Sequence, residues 1–295
     1  DIWHLLYNAT LIQGRAGIVM NALSAIDIAL WDRKARSLNQ PLCTLLGGNI
    51  STPVTAYASG GYYAPGKDLD GLREEVQSWV DLGFTAVKIK AGKLSLKEEE
   101  RRVAAVRDVV GDECLLMLDL YNSMRTLGEA IEFANMYKYY NPYWIEDPFK
   151  PDDIDNFSRL SERVATPLAT GEFHYSPHTF RTIISSGAAQ VIQAEAPRVG
   201  GITQWRKIAS LASGYGAVVN PCWFHQLHAQ LLPSVSGGEF VEYFPDNSVL
   251  NFNRLIKNDQ MTFSEGKLYL SDSSGVGFEF DDNAIASFEH EKIAF

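Results

Sequence analysis

Three acidic residues recur at an even interval in this chain: Asp119 in LLMLD, Glu146 in YWIE and Glu172 in LATGE, 27 and 26 residues apart. Each closes a short apolar run that reads as a strand, and the interval is about one strand-plus-helix unit. Carboxylates that converge in this way cannot all stay ionised without a cation, and an all-oxygen set suits a hard ion such as Mg²⁺. One acid at a strand end is most often a helix cap or a solvated loop residue; three in register point to a metal site. Upstream, FTAVKIKAG (84–92) sets Lys88 and Lys90 on one face of a strand and Val87 and Ile89 on the other. Lysines aimed at the same place as the acids have two readings. They are counter-ions in a buried charge network, or one of them is a base whose pKa a nearby cation lowers.

Groups so far apart in sequence meet only if the elements between them return to one end of a common scaffold. Eight runs have strand character: 53–59, 85–91, 114–120, 142–147, 167–172, 190–196, 217–221 and 239–244. Between them lie amphipathic segments such as LDGLREEVQSWVDLG and LKEEERRVAAVRDVVG, with apolar residues at three-to-four spacing and a glycine near the end. Eight strands alternating with helices predict a closed barrel of α/β class, with a doubly wound open sheet as the alternative. In such a barrel chemistry gathers at the C-terminal strand ends, where the three acids and two lysines fall. The expected organisation is a leading region over 1–52, a barrel with the site over 53–245, and a C-terminal segment over 246–295.

The 295 residues are 46% apolar, enough to fill a sizeable core. Three scattered cysteines indicate neither a disulfide framework nor a thiolate zinc site. A net charge of −10 argues against nucleic acid as a partner. There is no apolar run long enough to span a bilayer and no basic-then-apolar leader pattern at the start, so the expectation is a cytoplasmic protein without membrane contact.

With these residues in place, the chain resembles the enolase superfamily, in its mandelate racemase-like subgroup of acid-sugar dehydratases and racemases. The resemblance runs from residue 14 to about residue 280. ALSAIDIALWD, PLCTLLGG and PVTAY (22–57) are similar to the helix that leads into the barrel and the first strand. KIK (88–90) is similar to the Lys-x-Lys motif; LDLYNS, WIEDP and TGE to the metal-ligand strands; RVGGIT (198–203) and VEYFPD (241–246) to the sixth- and eighth-strand signatures. The resemblance implies a modified TIM-type (β/α)7β barrel with the remnant of an N-terminal capping domain and a C-terminal capping segment. It further implies one Mg²⁺ per chain on Asp119, Glu146 and Glu172, with Asn122 nearby. Lys90 would be the base and Lys88 would position the carboxylate of a small sugar-acid substrate, which Glu242 would bind or protonate. A homo-oligomer is implied as well, and a third ligand of Glu type favours this subgroup over the muconate-lactonising one. In the implied reaction the α-proton of a carboxylate is removed, and the enediolate then loses a β-hydroxyl (dehydration) or is reprotonated (racemisation or epimerisation).

The chain also departs from the subgroup pattern. Where a His-Asp dyad commonly faces the lysine, the sixth strand has Glu195, and the seventh reads VVNPCWFHQLH, with Cys222 directly after Pro221 and His225 four residues after it. Two alignments stand open: Cys222 in the dyad position, with no imidazole opposite Lys90, or a Glu195–His225 dyad. His174, two residues after Glu172, lies in a stretch similar to rhamnonate dehydratase-like members, where it would touch substrate or protonate the leaving hydroxyl; its plain reading is a solvated loop residue. Family members carry a capping domain of roughly a hundred residues before the leading helix, and this sequence starts too late to contain it all. The rival classes are a Schiff-base lysine enzyme, which needs no metal, and a barrel that binds metal but is catalytically silent.

Overall fold

Eight short strands form where the apolar runs predict them: β1 (Val54–Gly60), β2 (Ala86–Lys90), β3 (Leu115–Asp119), β4 (Pro142–Glu146), β5 (Leu168–Thr170), β6 (Val191–Ile192), β7 (Val218–Val219) and β8 (Phe240–Tyr243). The structure, a computed structural model, describes residues 2–245, 248, 250–257 and 261–288. Each strand pairs in parallel with the next from β1 to β7, and β8 returns to pair in parallel with β1. The remaining seam, β7 to β8, is closed by one parallel bridge, Val219 to Gly238, and by the Asn220 side chain. Its Oδ1 accepts from the backbone N–H of Glu239 at 3.0 Å and of Phe240 at 3.1 Å. The sheet is therefore a closed barrel, and the open doubly wound alternative does not hold.

Helices α1 (Ile2–Ala9), α2 (Gly17–Ser37) and α3 (Leu42–Leu45) precede β1. Seven more link successive strands: α4 (Leu69–Asp81), α5 (Leu96–Val110), α6 (Leu127–Tyr137), α7 (Ile154–Ser161), α8 (Pro177–Ser185), α9 (Gly201–Gly214) and α10 (His225–Leu231). Their starts are written locally. Asp68 caps α4, Ser95 and Glu98 form a capping box on α5, and Ser176 caps α8 with Pro177 at its first position. No α-helix separates β8 from the following turn, so the architecture is (β/α)7β among the described residues. The tail adds a hairpin, β10 (Thr262–Ser264) with β11 (Lys267–Tyr269), that pairs antiparallel with the start of β1; two further short strands, β9 (Ile256–Lys257) and β12 (Glu279–Phe280), pair with each other.

Strand alternation builds the barrel interior in rings. One residue each from β1 to β6 and β8 makes a buried apolar plug: Tyr57, Ala86, Met117, Trp144, Ala169, Val191 and Phe240. Two residues further along, the same inward face reads Ser59, Lys88, Asp119, Glu146, Gly171, Gln193 and Glu242, so a polar ring rests directly on the plug. Another two residues on, Lys90, Tyr121, Phe173, Glu195 and Phe244 line an open cavity.

The leading helices dock on α9 through RVGGIT. Ser24, Asp27 and Trp31 lie along one face of α2. Ser24 Oγ accepts from Gly200 N at 2.9 Å, Asp27 accepts from Thr203 N at 2.9 Å and from Thr203 Oγ1 at 2.6 Å, and Trp31 Nε1 donates to Thr203 Oγ1 at 2.9 Å. A Cβ on Gly201, whose φ is +81°, would stand 2.3 Å from Asp27 Oδ2, so only glycine lets the two helices approach this closely. Asp246 of VEYFPD lies outside the described residues.

Candidate active site

The polar ring is one ion network. Lys88, buried at the middle of β2, sits 2.6 Å from Glu146 Oε1, 3.0 Å from Glu242 Oε1 and 3.7 Å from Asp119 Oδ2. Burial opposes its charge, but Glu146 and Glu242 outweigh burial and hold the ammonium well above the ordinary lysine range. Lys90, the last residue of β2, is paired with Asp119 Oδ2. Burial again opposes its charge and Asp119 outweighs it, so Lys90 is also raised. Among the protein's own groups the base candidate is therefore held protonated, opposite to the lowering that a neighbouring cation would cause.

The acids divide in two. Burial opposes the charge of Asp119, but Lys90 and Lys88 prevail and hold it below the carboxylate range. Glu242 is held low against burial by Lys88 and the Ser59 hydroxyl, and it also accepts from Trp223 N at 2.6 Å. Glu146 goes the other way, pushed up to about 8 by burial and then by Asp119, although Trp144 Nε1 at 3.0 Å and Gln193 Nε2 at 2.6 Å both donate to it. Glu172 is raised by burial and Asp119; Asp147 is raised well above its usual value by burial and Glu172. Oxygens of Glu146, Asp147 and Glu172 lie within 4.8 Å of one another, and Asp147 Oδ2 is buried with no hydrogen-bond partner. Several carboxylates pressed upward in pKa, one with an orphaned oxygen, form a site short of positive charge. An all-oxygen donor set of this kind fits a hard divalent ion.

Asp147 was not legible as a ligand candidate. It follows Glu146 directly, and in a regular strand the two side chains would point to opposite faces. Its φ of +41° breaks the alternation and brings both carboxylates to the barrel mouth. Tyr121, Asn122, Trp223 and Phe224 also have positive φ at strand ends, so non-glycine strain collects around this mouth. Asn122 donates its backbone N–H to Asp147 O at 2.7 Å, and its side-chain Oδ1 is buried without a partner.

Across the barrel, three residues past the end of β6, the strand opposite β2, Glu195 is pushed up to about 7 by burial, with Arg198 opposing and Glu172 adding to the rise. Arg198 Nε donates to its Oε2 at 3.1 Å, and the Cys222 thiol lies 3.2 Å from its Oε1. Burial and then Glu195 hold the Cys222 thiol well above its normal range, in its neutral form. Cys222 is thus the group beside Glu195. His225 begins α10, fully buried, its ring centroid 4.6 Å from that of Tyr243, and it does not line the cavity. Burial, then His228, lowers its pKa to about 3. His174 is likewise outside the cavity lining, packed edge-on against Phe180 at 5.9 Å and lowered to about 4 by burial. The cavity, about 590 Å³, is walled by Tyr62, Tyr63, Tyr121, Phe173, Trp223 and Phe244 around the charged groups. These aromatic walls were not singled out from the sequence; counting two residues on from each strand-end acid would have found Tyr121.

Residues 71–284 match the enolase C-terminal domain-like family, and residues 1–47 match the mandelate racemase / muconate lactonizing enzyme N-terminal domain. The chain is 33% identical to L-talarate/galactarate dehydratase of Salmonella typhimurium, over 92% of this chain and 66% of that protein. It is 30% identical to arabinonate dehydratase of Saccharolobus solfataricus, over 98% and 77%. A solved structure of the Salmonella enzyme with Mg and L-lyxarohydroxamate superposes with a TM-score of 0.88 at 32% identity, covering 97% of this chain and 71% of that one. The chain thus spans about two thirds to three quarters of the length of these relatives. Fold, motif order and family matches agree: this chain belongs to the enolase superfamily, in its mandelate racemase-like subgroup.

Proposed function

We propose that the chain is the catalytic part of a Mg²⁺-dependent dehydratase of sugar acids, a carbon–oxygen lyase that removes a proton α to a carboxylate and expels a β-hydroxyl. One observation carries this reading: a cavity lined by Lys90 on one side and Glu195 on the opposite side, backed by the buried Lys88 and Cys222 and by a cluster of buried carboxylates. Asp119, Glu146 and Glu172 would hold the ion; Glu146 and Glu172 cluster with Asp147, which is close enough to share the ion or to orient them, while Asp119 lies outside that cluster and is paired with Lys90. When bound, the ion supplies positive charge that offsets the carboxylates now holding Lys90 protonated and stabilises the charge that grows on a substrate carboxylate.

The remaining work falls to the chain's own groups. Lys90 is the base, placed at the rim of β2, where its Nζ reaches the cavity. Lys88 stays protonated in the grip of Glu146 and Glu242 and provides fixed positive charge beneath the reacting carbon. Glu195, with a pKa of about 7, can arrive protonated from the far face and give its proton to the departing hydroxyl. The aromatic walls give a bound substrate apolar surface to pack against, displacing water from the open cavity. Relatives named as dehydratases of talarate, galactarate and arabinonate support the same reaction class.

The test is a panel of sugar acids with Mg²⁺ in D₂O. The expected result is a 2-keto-3-deoxy acid, abolished by EDTA and by Lys90→Met. Solvent deuterium in recovered substrate without keto acid would make the enzyme a racemase or epimerase instead. Full turnover in EDTA would move it to Schiff-base chemistry, and a metal-binding chain that turns over no acid would be a silent barrel.

A further inference from the structure

The charges that line the cavity can be matched one by one. Lys90 is paired with Asp119, Arg198 with Glu195 at 3.1 Å, and Glu242 is taken up by Lys88 at 3.0 Å. Glu172 belongs to the carboxylate cluster. Lys93 is left over: among the described residues it lines the cavity and has no carboxylate within ion-pair distance. Its exposed side chain reaches the Tyr63 ring, 5.6 Å from Nζ to centroid.

The loop that carries Lys93 is fixed. Glu99, fully buried in the first turn of α5, accepts from Lys93 N at 3.1 Å, from Leu94 N at 2.9 Å and from the Tyr63 hydroxyl. Arg102, one turn further on, donates Nε to Lys90 O at 3.3 Å and binds Gly61 O. Gly92 has φ +84°, and a Cβ there would fall 2.5 Å from Ser123 Oγ, so the turn between Lys90 and Lys93 is packed too tightly for a side chain. Two loops of the mouth are thus pinned to one helix by buried polar side chains, which fixes the backbone from which the exposed Lys93 side chain extends at the cavity rim.

We propose that Lys93 is a specificity residue that binds a second anionic group at the end of the substrate remote from the reacting carboxylate, so that the preferred substrates are sugar diacids. The inference rests on the sugar-acid reading above. Three residues of chain reach at most about 10 Å, and five C–C bonds of about 1.5 Å give a six-carbon acid an end-to-end length on the order of 6 Å, so one molecule can meet both the Lys90 end and Lys93. A mono-acid of the same skeleton offers this ammonium only a hydroxyl, a weaker partner than a charged oxygen. The same chemistry would accept a terminal phosphate.

The experiment uses matched pairs that differ only at the far carbon, galactarate against galactonate and glucarate against gluconate, with galactonate 6-phosphate as the phosphate arm. Binding is measured by calorimetry in Mg²⁺ alongside turnover. At least one diacid is expected to bind about tenfold tighter than its mono-acid, the effect of one charge-assisted hydrogen bond. Lys93→Ala should erase that preference by weakening the diacid about tenfold and the mono-acid much less, and Lys93→Arg should keep it. If the phosphate ester outbinds galactarate, the second anion is a phosphate, and the diacid assignment is overturned. The proposal also falls if neither diacid outbinds its mono-acid, or if Lys93→Ala weakens both members of a pair alike. Loss of turnover with the binding preference intact would sink the dehydratase reading and leave the Lys93 assignment standing.

Discussion

Glu146 has its charge contested from every side. Lys88 at 2.6 Å, Trp144 and Gln193 favour the carboxylate, while burial and Asp119 push it up to about 8. A carboxyl whose folded pKa exceeds its unfolded value binds more protons in the folded state, so its contribution to stability is full at low pH and is lost as pH rises through the folded pKa. Glu195, at about 7, adds to the same trend. The buried histidines His174, His225 and His228 oppose it: their folded values of about 4, 3 and 4 make stability rise with pH up to the unfolded value near 6.5. The carboxyl effect stands clear between pH 6.5 and 8. In EDTA, urea stability is expected to fall across that window by up to about 1.4 kcal/mol per pH unit for each proton released. Glu146→Gln should flatten the slope; an unchanged slope would mean that Glu146 is not the group titrating. At this scale, residue types and spacing made the acids and lysines legible in the sequence. Asp147 was hidden because one positive φ reversed its side-chain direction. The choice between Cys222 and His225 stayed open because spacing alone does not say where β7 stops and α10 begins; the fold puts the first beside Glu195 and the second in the core.

Most of the elements could be read as well, since strands buried on both faces are near-continuous apolar runs and each helix start carries its own cap. Closure could not, because it depends on a side chain. β6 and β7 are two residues long, shorter than the predicted runs 190–196 and 217–221. The backbone N–H groups of Gln193 and Asn220 make the last bonds to the neighbouring strands, and the side chains of these two residues take up bonding roles as well. Asn220 then stands in for strand pairing at the β7–β8 seam. Asn220→Ala would leave the N–H groups of Glu239 and Phe240 without an acceptor, at a cost of about 2–4 kcal/mol for the two. Chemical denaturation would measure the loss, and hydrogen exchange should locate it at β8. Wild-type stability in the variant would mean that the seam does not depend on this residue. Because Glu242 lies on β8 and holds Lys88, the same variant should also lose activity under conditions where it remains folded.

For the whole molecule, the balance of charge frames how the site is filled. The chain carries a net charge of −10, so a divalent cation is attracted over distance, while an anionic substrate is repelled until it reaches the cavity. Non-specific cation binding to such a surface must be separated from binding at the carboxylate cluster, and the oxygen-only donor set provides the means. A ligand bound only by the folded state stabilises it by about 2.7 kcal/mol at one hundred times its Kd. For a chain of this size that corresponds to a rise in Tm of roughly 4–5 °C. The rise should be larger at pH 8 than at pH 6.5, because Glu146 must lose its proton before it can serve as a ligand. Glu172→Gln, which removes one charged oxygen from the cluster but leaves the surface otherwise unchanged, should cancel most of the rise at equal Mg²⁺. An equal rise in the variant, or one insensitive to pH, would place the stabilising ions on the acidic surface, and the buried carboxylates would then have to be explained by the lysines alone.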